Sequence, residues 1–449
     1  MPRRPLAPTT MTTSTAAQRV GPAGQFSGAV RLPGDKSISH RYAMLAALAE
    51  GRGVIANFST GADCRSTLGC VAALGATVET LGDGAVAITG HGRRGLGAPA
   101  AELDAGNSGS TVRMLSGILA AQPFASRISG DASLCRRPMR RILEPLGQMG
   151  ARITAAEGDR APLAFAPAPA LRGIRYRPAV ASAQVKTAVL FAGLFAQGPT
   201  WIEEPQPTRD HTEIALRQFG VSVEFPGRNQ IALLPPAGEW AARDLRVPGD
   251  PSSAAFFLCA AAMFPEADLL VDQVSLNPRR AALLDVLGRM GARIGVVNVE
   301  ERDGELVGGL TARGPEAGRL RGTEIAGAEA VALIDEVPVL AALATAAEGG
   351  IRFRDVAELR VKESDRIAAI AANLRRMGAQ CAERPDGLDV PGPQRLHGAS
   401  LESFGDHRIA MAFSIAALIA EGETEIQDPG CAAISFPEFF SILGRLTGA

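Results

Sequence analysis

Aromatic rings are scarce in this chain. Two Trp and two Tyr in 449 residues are too few for the stacking platforms that hold single-stranded nucleic acid. Excess charge is absent too. Lys and Arg total 46 against 47 Asp and Glu, a net charge of −1, so the surface as a whole does not attract a polyanion. The six cysteines and five histidines contain no CxxC and no HxxxH spacing. That excludes the common structural zinc arrangements and leaves reduced thiols in a cytosolic compartment as the simple reading. The longest largely apolar run, Ile409 to Ala420, is too short to span a bilayer. Residues 1–24 hold no acidic residue and no apolar stretch of the signal-peptide kind. They read as a flexible extension, with an organelle transit peptide as the alternative.

What is present is a repeat. A helical pattern ends in an apolar residue and Gly, and a strand-like phrase follows, at Gly75, Gly150, Gly220, Gly291 and Gly378, with a degenerate sixth at Gly444. Each Gly suits the left-handed position that ends a helix. Out of phase with these run six Ala-rich helices that start near Ser37, Ser108, Ser182, Ser252, Asp335 and Asp406. Their bodies lack a polar face, which marks buried helices. A buried helix must still satisfy its first N–H groups, so converging starts would line a polar site. Six α/β units of about 70 residues are too many for one core, and three per domain is the natural division. Leu32-Pro33-Gly34-Asp35-Lys36-Ser37 returns as Val247-Pro248-Gly249-Asp250-Pro251-Ser252. These phrases read as crossings between domains: one domain of residues 35–248, the other of 27–34 plus 249–449, with a tail over 1–26.

The first phrase carries chemistry. Asp35 suits an N-cap, and Lys36, Ser37 and Arg41 fall in the opening turns of a helix, where unpaired N–H groups and the macrodipole favour an anion. A capped helix with solvated charges is the plain alternative. Gly90-His91-Gly92-Arg93-Arg94-Gly95 matches GxGxxG, but Leu96-Gly97-Ala98-Pro99 follows and cannot open a helix, so a hairpin loop is expected. Gly34-Asp35-Lys36-Ser37 lacks P-loop spacing. In Arg360-Val361-Lys362-Glu363-Ser364-Asp365-Arg366, a helix would set Lys362 and Arg366 at i,i+4. Either an anion lies between them, or Glu363–Arg366 and Lys362–Asp365 pairs neutralise the face. Arg136-Arg137-Pro138-Met139-Arg140-Arg141 offers four guanidinium forks, of which one is expected to serve a site. Asn107-Ser108-Gly109-Ser110-Thr111 and Ser182-Ala183-Gln184 supply hydroxyls, an amide and a Gly that permits close approach, although capping alone explains the serines. Asp406-His407-Arg408 and Asp335-Glu336 open buried helices, where Asp is usually a cap and His407 a packed residue.

Together these phrases, in this order across about residues 28–440, resemble the 5-enolpyruvylshikimate-3-phosphate synthase family, and its bacterial class II branch most. Ile334-Asp335-Glu336 and Thr208-Arg209-Asp210-His211-Thr212-Glu213 carry the class II likeness. The resemblance implies an α/β fold of two similar domains, each of three βαβαββ-type repeats, closing on substrate as an inverse α/β barrel. It implies transfer of the enolpyruvyl group of phosphoenolpyruvate to the 5-hydroxyl of shikimate 3-phosphate, through a tetrahedral intermediate, with phosphate released. No metal or organic cofactor, nucleic acid or membrane is implied, and a cytoplasmic monomer is expected. By resemblance, Lys36, Ser37, Arg41, Ser182, Ala183, Gln184, Arg209, Asp335 and Lys362 hold shikimate 3-phosphate. Lys36, Gly109, Arg137, Gln184, Arg366 and Arg408 hold phosphoenolpyruvate. Asp335, Glu363 and Lys36 are the catalytic set, with Asp335 the base and Glu363 the acid, so their pKa values are expected to be pushed apart. Many relatives carry Lys where Ile434 precedes Ser435-Phe436-Pro437 here. Insensitive relatives can carry Ala in place of Gly109, so glyphosate is expected to inhibit. The rivals are UDP-N-acetylglucosamine enolpyruvyl transferase, whose mobile-loop Cys Cys135 could imitate, and a non-catalytic anion-binding module.

Overall fold

Alanine-rich sequence becomes buried helix six times, each time beside a second helix with one polar face. The computed structural model describes residues 17–448 except 169 and 317. Twelve of the helices among them have eight or more residues. In chain order these are α1 (Lys36–Ala47), α2 (Ala62–Ala73), α3 (Gly109–Leu119), α4 (Arg140–Gln148), α5 (Ala183–Gly193) and α6 (His211–Gln218). There follow α7 (Pro251–Met263), α8 (Ala282–Met290), α9 (Val337–Ala344), α10 (Arg366–Arg376), α11 (His407–Ala417) and α12 (Phe439–Thr447). The odd-numbered helices are the buried ones; in α7 every residue from Ser252 to Ala262 is buried.

Capping explains where they begin. Asp35, Ser108, Ser182, Asp250 and Asp406 each accept a backbone N–H of the first turn with the side chain, the usual N-cap bond. The expected start at Asp335 is displaced. Helix α9 opens two residues later, and neither Asp335 nor Glu336 caps it. The repeat glycines 75, 150, 220, 291 and 378 all have φ between +76° and +107°, so they end their helices as the pattern requires. Gly444 does not; α12 runs through it to Gly448, whose φ is +73°.

Six small sheets accompany the helices. Five share one order, a parallel pair followed by two antiparallel neighbours, as in Leu245–Arg246, Glu50–Ala56, Val86–His91 and Thr77–Thr80. The sixth has three strands: Ser400–Glu402 lies parallel to Thr424–Gln427, which pairs antiparallel with Gln18–Val20. Apolar side chains gather into two clusters. One runs from Ile38 to Val247; the other takes Val20, Phe26, Val30 and Leu32 and resumes at Ala254. Packing is close where buried helices meet: a Cβ on Gly117 of α3 would lie 2.1 Å from the Ala188 carbonyl oxygen of α5.

The expected free tail over residues 1–26 needs correction at its end. Residues 1–16 lie outside the described residues. Gln18–Val20 completes the sixth sheet, and Phe26 is fully buried, its ring 5.9 Å from that of Phe264. The cause is an edge strand left unpaired by the shortened final repeat. Phe26→Ala is therefore expected to cost about 3–5 kcal/mol, read as a lower midpoint of denaturant unfolding, whereas a residue in a free tail would leave the midpoint unchanged.

Candidate active site

Contacts link the six buried-helix starts. Arg41 of α1 donates to Thr187 of α5 and Thr212 of α6, both at 2.7 Å. Gln184 of α5 donates to Ser110 of α3 (2.9 Å) and accepts from Arg113 (2.8 Å). Arg137 Nη2 donates to Asn107 just before α3 (2.7 Å), while Nη1 lies 3.4 Å from Glu363 in the other half of the chain. Glu363 pairs with Arg366 (2.7 Å), and Arg366 with Asp406, the cap of α11 (2.8 Å). Arg408 donates to the Asp335 carbonyl (2.9 Å). The Ser252 hydroxyl meets the Glu336 carboxylate between α7 and α9, and Asp250 accepts the Lys36 backbone N–H (3.2 Å), returning to α1.

This ring gathers the expected residues. Asp335 lies 2.7 Å from Arg209, 3.6 Å from Arg366, 3.9 Å from Lys362 and 4.0 Å from Arg408. Lys36 pairs with Asp63 at 2.8 Å. Ser37 and Gln184 are half-buried, and Ser182 and Ala183 open α5 beside them. Gly109 is the first residue of α3, and a Cβ there would lie 2.9 Å from Arg113 Nη1 and 3.3 Å from Arg137 Nη1. Of the four arginines at 136–141, Arg137 alone is buried. The residue at the anomalous position 434 is also near: its carbonyl oxygen would lie 2.8 Å from a Cβ on Gly61, just before α2 and Asp63.

The arginines divide by partner. Burial pulls Arg366 down, but Asp406 and Glu363 more than reverse this and raise it. Arg41 and Arg113 are held by neutral groups instead. Arg41 donates to two threonines and the Ser37 carbonyl, and Arg113 to the Gln184 amide. Burial lowers both to about 10, with the neighbouring Arg137 adding to the effect on Arg113. A guanidinium desolvated without a carboxylate partner is poised to gain from an incoming anion. For Lys36, burial lowers the ammonium and Asp63 raises it, with a net rise.

Two expectations are overturned. Lys362 and Arg366 do not share a helical face. Residues 357–361 form a 3-10 turn, and α10 starts only at Arg366 behind its Asp365 cap. Lys362 therefore turns to Glu358 at 3.2 Å, and Asp365 to Arg360 at 2.8 Å, while the expected Glu363–Arg366 pair is present. The pKa values of Asp335 and Glu363 are not pushed apart. Burial would raise each. Arg408, Lys362, Arg209 and Arg366 reverse this at Asp335, and Arg366, Arg137, His407 and Lys36 do so at Glu363. Both are held well below the usual carboxylate range. His407 is packed as expected, and burial and Lys36 lower its imidazole to about 3.

Sequence reasoning missed Arg113, the cation nearest a Gly109 side chain. The signal was available: it stands one helical turn after Gly109, on the same face. Asp63, the partner of Lys36, had no local signal. Cys135 engages the Gly130 carbonyl (3.4 Å) and the Ser129 hydroxyl (3.5 Å). Among the described residues no group of three His, Cys, Asp or Glu could hold a metal ion, and no helix is long and apolar enough to cross a membrane.

Comparison with known proteins places this geometry. The sequence model of the EPSP synthase (3-phosphoshikimate 1-carboxyvinyltransferase) family matches residues 20–443. A 3-phosphoshikimate 1-carboxyvinyltransferase of Solibacter usitatus is 54% identical over 430 residues, 96% of this chain and 99% of that one. One of Koribacter versatilis is 55% identical, over 95% of this chain and 98% of its own. The solved EPSP synthase of Acinetobacter baumannii superposes with a TM-score of 0.84 at 40% identity, covering 96% of this chain and 98% of that one. The enolpyruvyl transferase NikO of Streptomyces tendae, 21% identical with a TM-score of 0.77 over 96% of this chain and 97% of its own, shares the fold. The chain belongs to the EPSP synthase family.

Proposed function

We propose that this protein transfers the enolpyruvyl group of phosphoenolpyruvate to the 5-hydroxyl of shikimate 3-phosphate and releases phosphate, a step of aromatic amino acid biosynthesis. The observation that carries the reading is the cleft itself. Arg137, Arg209, Lys362, Arg366 and Arg408 converge with Asp335 and Glu363, Lys36 lies within the field of Arg408 and Glu363 and Arg41 within that of Arg209, and that excess of cations suits two polyanionic substrates. The two apolar clusters support a division into one lobe of residues 35–248 and another of 249–448 joined by the segment that holds Val20, Phe26, Val30 and Leu32, and in this reading the lobes close on substrate.

In this reading Lys36, Ser37, Arg41, Ser182, Ala183, Gln184, Arg209 and Lys362 hold shikimate 3-phosphate. Gly109, Arg137, Gln184, Arg366, Arg408 and Lys36 hold phosphoenolpyruvate. Asp335 takes the proton of the 5-hydroxyl as that oxygen bonds to C2, and Glu363 protonates the methylene carbon. In the second half the bond from C2 to the phosphate oxygen breaks, Glu363 takes a proton back from the methyl carbon as the double bond forms, and the proton that came from the 5-hydroxyl passes from Asp335 to the departing phosphate. Holding both reactants in one dry cleft can supply about 7–11 kcal/mol of barrier lowering, and fixed charges act more strongly there than in water. One chain supplies every group, which supports a monomer, and size-exclusion chromatography checks this; the family likeness is the support for reading the enzyme as cytoplasmic.

Phosphate release tests the reading. Phosphate should appear from phosphoenolpyruvate only when shikimate 3-phosphate is present; release with UDP-N-acetylglucosamine in its place would refute it. Gly109→Ala puts a methyl against Arg113 and Arg137, and should raise both the KM for phosphoenolpyruvate and the glyphosate inhibition constant. Asp335→Asn should lower the thermal midpoint at pH 7. Because the folded pKa of Asp335 is depressed, its contribution is complete above the unfolded value of about 4 and is lost as pH falls through the lower folded value. The gap between wild type and variant should therefore narrow as pH falls below 4, and a gap that widens there would contradict the ion-pair assignment.

A further inference from the structure

The chain crosses between the lobes twice, and the crossings lie side by side. Gly34 and Gly249 form an antiparallel bridge. The Asp35 N–H donates to the Pro248 carbonyl (2.8 Å), and the Asp250 N–H to the Pro33 carbonyl (3.2 Å). Contact is tight: a Cβ on Gly34 would lie 1.8 Å from the Asn57 carbonyl oxygen. Each crossing ends in an aspartate that caps a buried helix. Asp35 accepts from Ile38 of α1 (2.9 Å), and Asp250 from Ser252 of α7 (2.7 Å).

Arg280 sits on both caps. It closes the 3-10 turn Pro278–Arg280, and its side chain is 4% exposed. Nη1 donates to Asp35 Oδ2 at 3.0 Å; Nη2 donates to the Ser252 hydroxyl at 2.8 Å and approaches Asp250 Oδ1 at 3.4 Å. The Ser252 hydroxyl in turn meets Glu336, the neighbour of Asp335. One guanidinium is thereby tied to the beginnings of α1, α7 and α9. Those beginnings carry Lys36 on one lobe and Asp335 on the other. None of these partners is assigned to a substrate.

We propose that Arg280 is a positioning residue for enolpyruvyl transfer: its fork locks the double crossing so that the closed lobes present Lys36 and Asp335 to one cleft. The proposal rests on the activity assigned above. A lysine keeps the charge but cannot reproduce the planar fork that reaches an aspartate on one side and a hydroxyl on the other. Weakening the lock lowers the fraction of closed molecules, and apparent affinity falls by that fraction for every ligand that needs closure.

The test is Arg280→Lys in the full chain, read by steady-state kinetics, thermal midpoint and small-angle scattering with and without shikimate 3-phosphate. The KM values for both substrates should rise by a common factor of about 10, with kcat restored at saturation. The radius of gyration of the free protein should increase and return to the wild-type value with shikimate 3-phosphate. A rise confined to one substrate, a kcat loss that saturation does not restore, or unchanged scattering would overturn the proposal. So would a lowered midpoint with wild-type KM values and scattering, because that marks a purely structural residue. Should the lysine variant fail to fold, Ser252→Ala removes one acceptor without altering charge and should shift KM and scattering in the same directions, while wild-type values would count against the lock. Wild-type turnover, measured first, separates failure of this proposal from failure of the activity assignment.

Discussion

A helix buried on all sides brings its first N–H groups into a place where water cannot satisfy them. Here six such helices end up with their beginnings in contact, and everything polar in the cleft follows from that constraint. Capping side chains answer part of the demand, from Asp35, Ser108, Ser182, Asp250 and Asp406. The remainder is a field of positive dipole ends, with cations added from the same turns. A cleft built in this way is selective for anions before any substrate contact is considered. It also explains why the site draws on both halves of the chain: each half brings three beginnings, and Arg209–Asp335 and Arg137–Glu363 bridge them.

So many buried cations would repel one another if left alone. The internal carboxylates let this arrangement stand without substrate, since a buried charge survives by pairing. Asp63 covers Lys36, Asp406 anchors Arg366, and Asp335 and Glu363 sit among the rest. Arg41 and Arg113 are the contrast, because hydroxyls, a carbonyl and an amide orient them without neutralising them. Orientation by neutral groups leaves the charge available, and orientation by carboxylates leaves it partly spent.

The repeat was legible because its signals are local. A buried helix without a polar face, a capping residue and a closing glycine are each written within a dozen residues, and the observed helices begin within two residues of their expected starts. Where the local pattern decays, legibility fails: Gly444 does not end its helix, and Gln18–Val20 fills an edge that only the folded sheet reveals. The site divided in the same way. Local spacing offers four arginines without choosing among them; the resemblance singles out Arg137, and the packing against Asn107 and Glu363 shows why it is the buried one. Asp63 and Arg280 act on partners 27 and 245 residues away, distances at which no spacing rule speaks. The motif at 360–366 misled because it looks helical in sequence, while a cap at Asp365 starts the helix after the charges rather than before them.

The ionisation of Glu363 follows from the same balance. In the substrate-free cleft Arg366 and Arg137 hold its carboxyl low, which is unsuited to an acid. In the proposed reaction those two guanidinium groups bind phosphoenolpyruvate. Once its carboxylate and phosphate engage them, Glu363 shares its cations with two new anions, while its burial continues to favour the neutral form. That sharing favours the neutral carboxyl, the form the role of acid requires. Asp335 is surrounded by Arg408, Lys362, Arg209 and Arg366, all of them assigned to substrate in the same reading, so loading the cleft acts on it in the same direction. The substrate-free protein holds both carboxylates low, so the separation of acid from base that the proposed reaction requires has to come from how the bound substrates divide these cations.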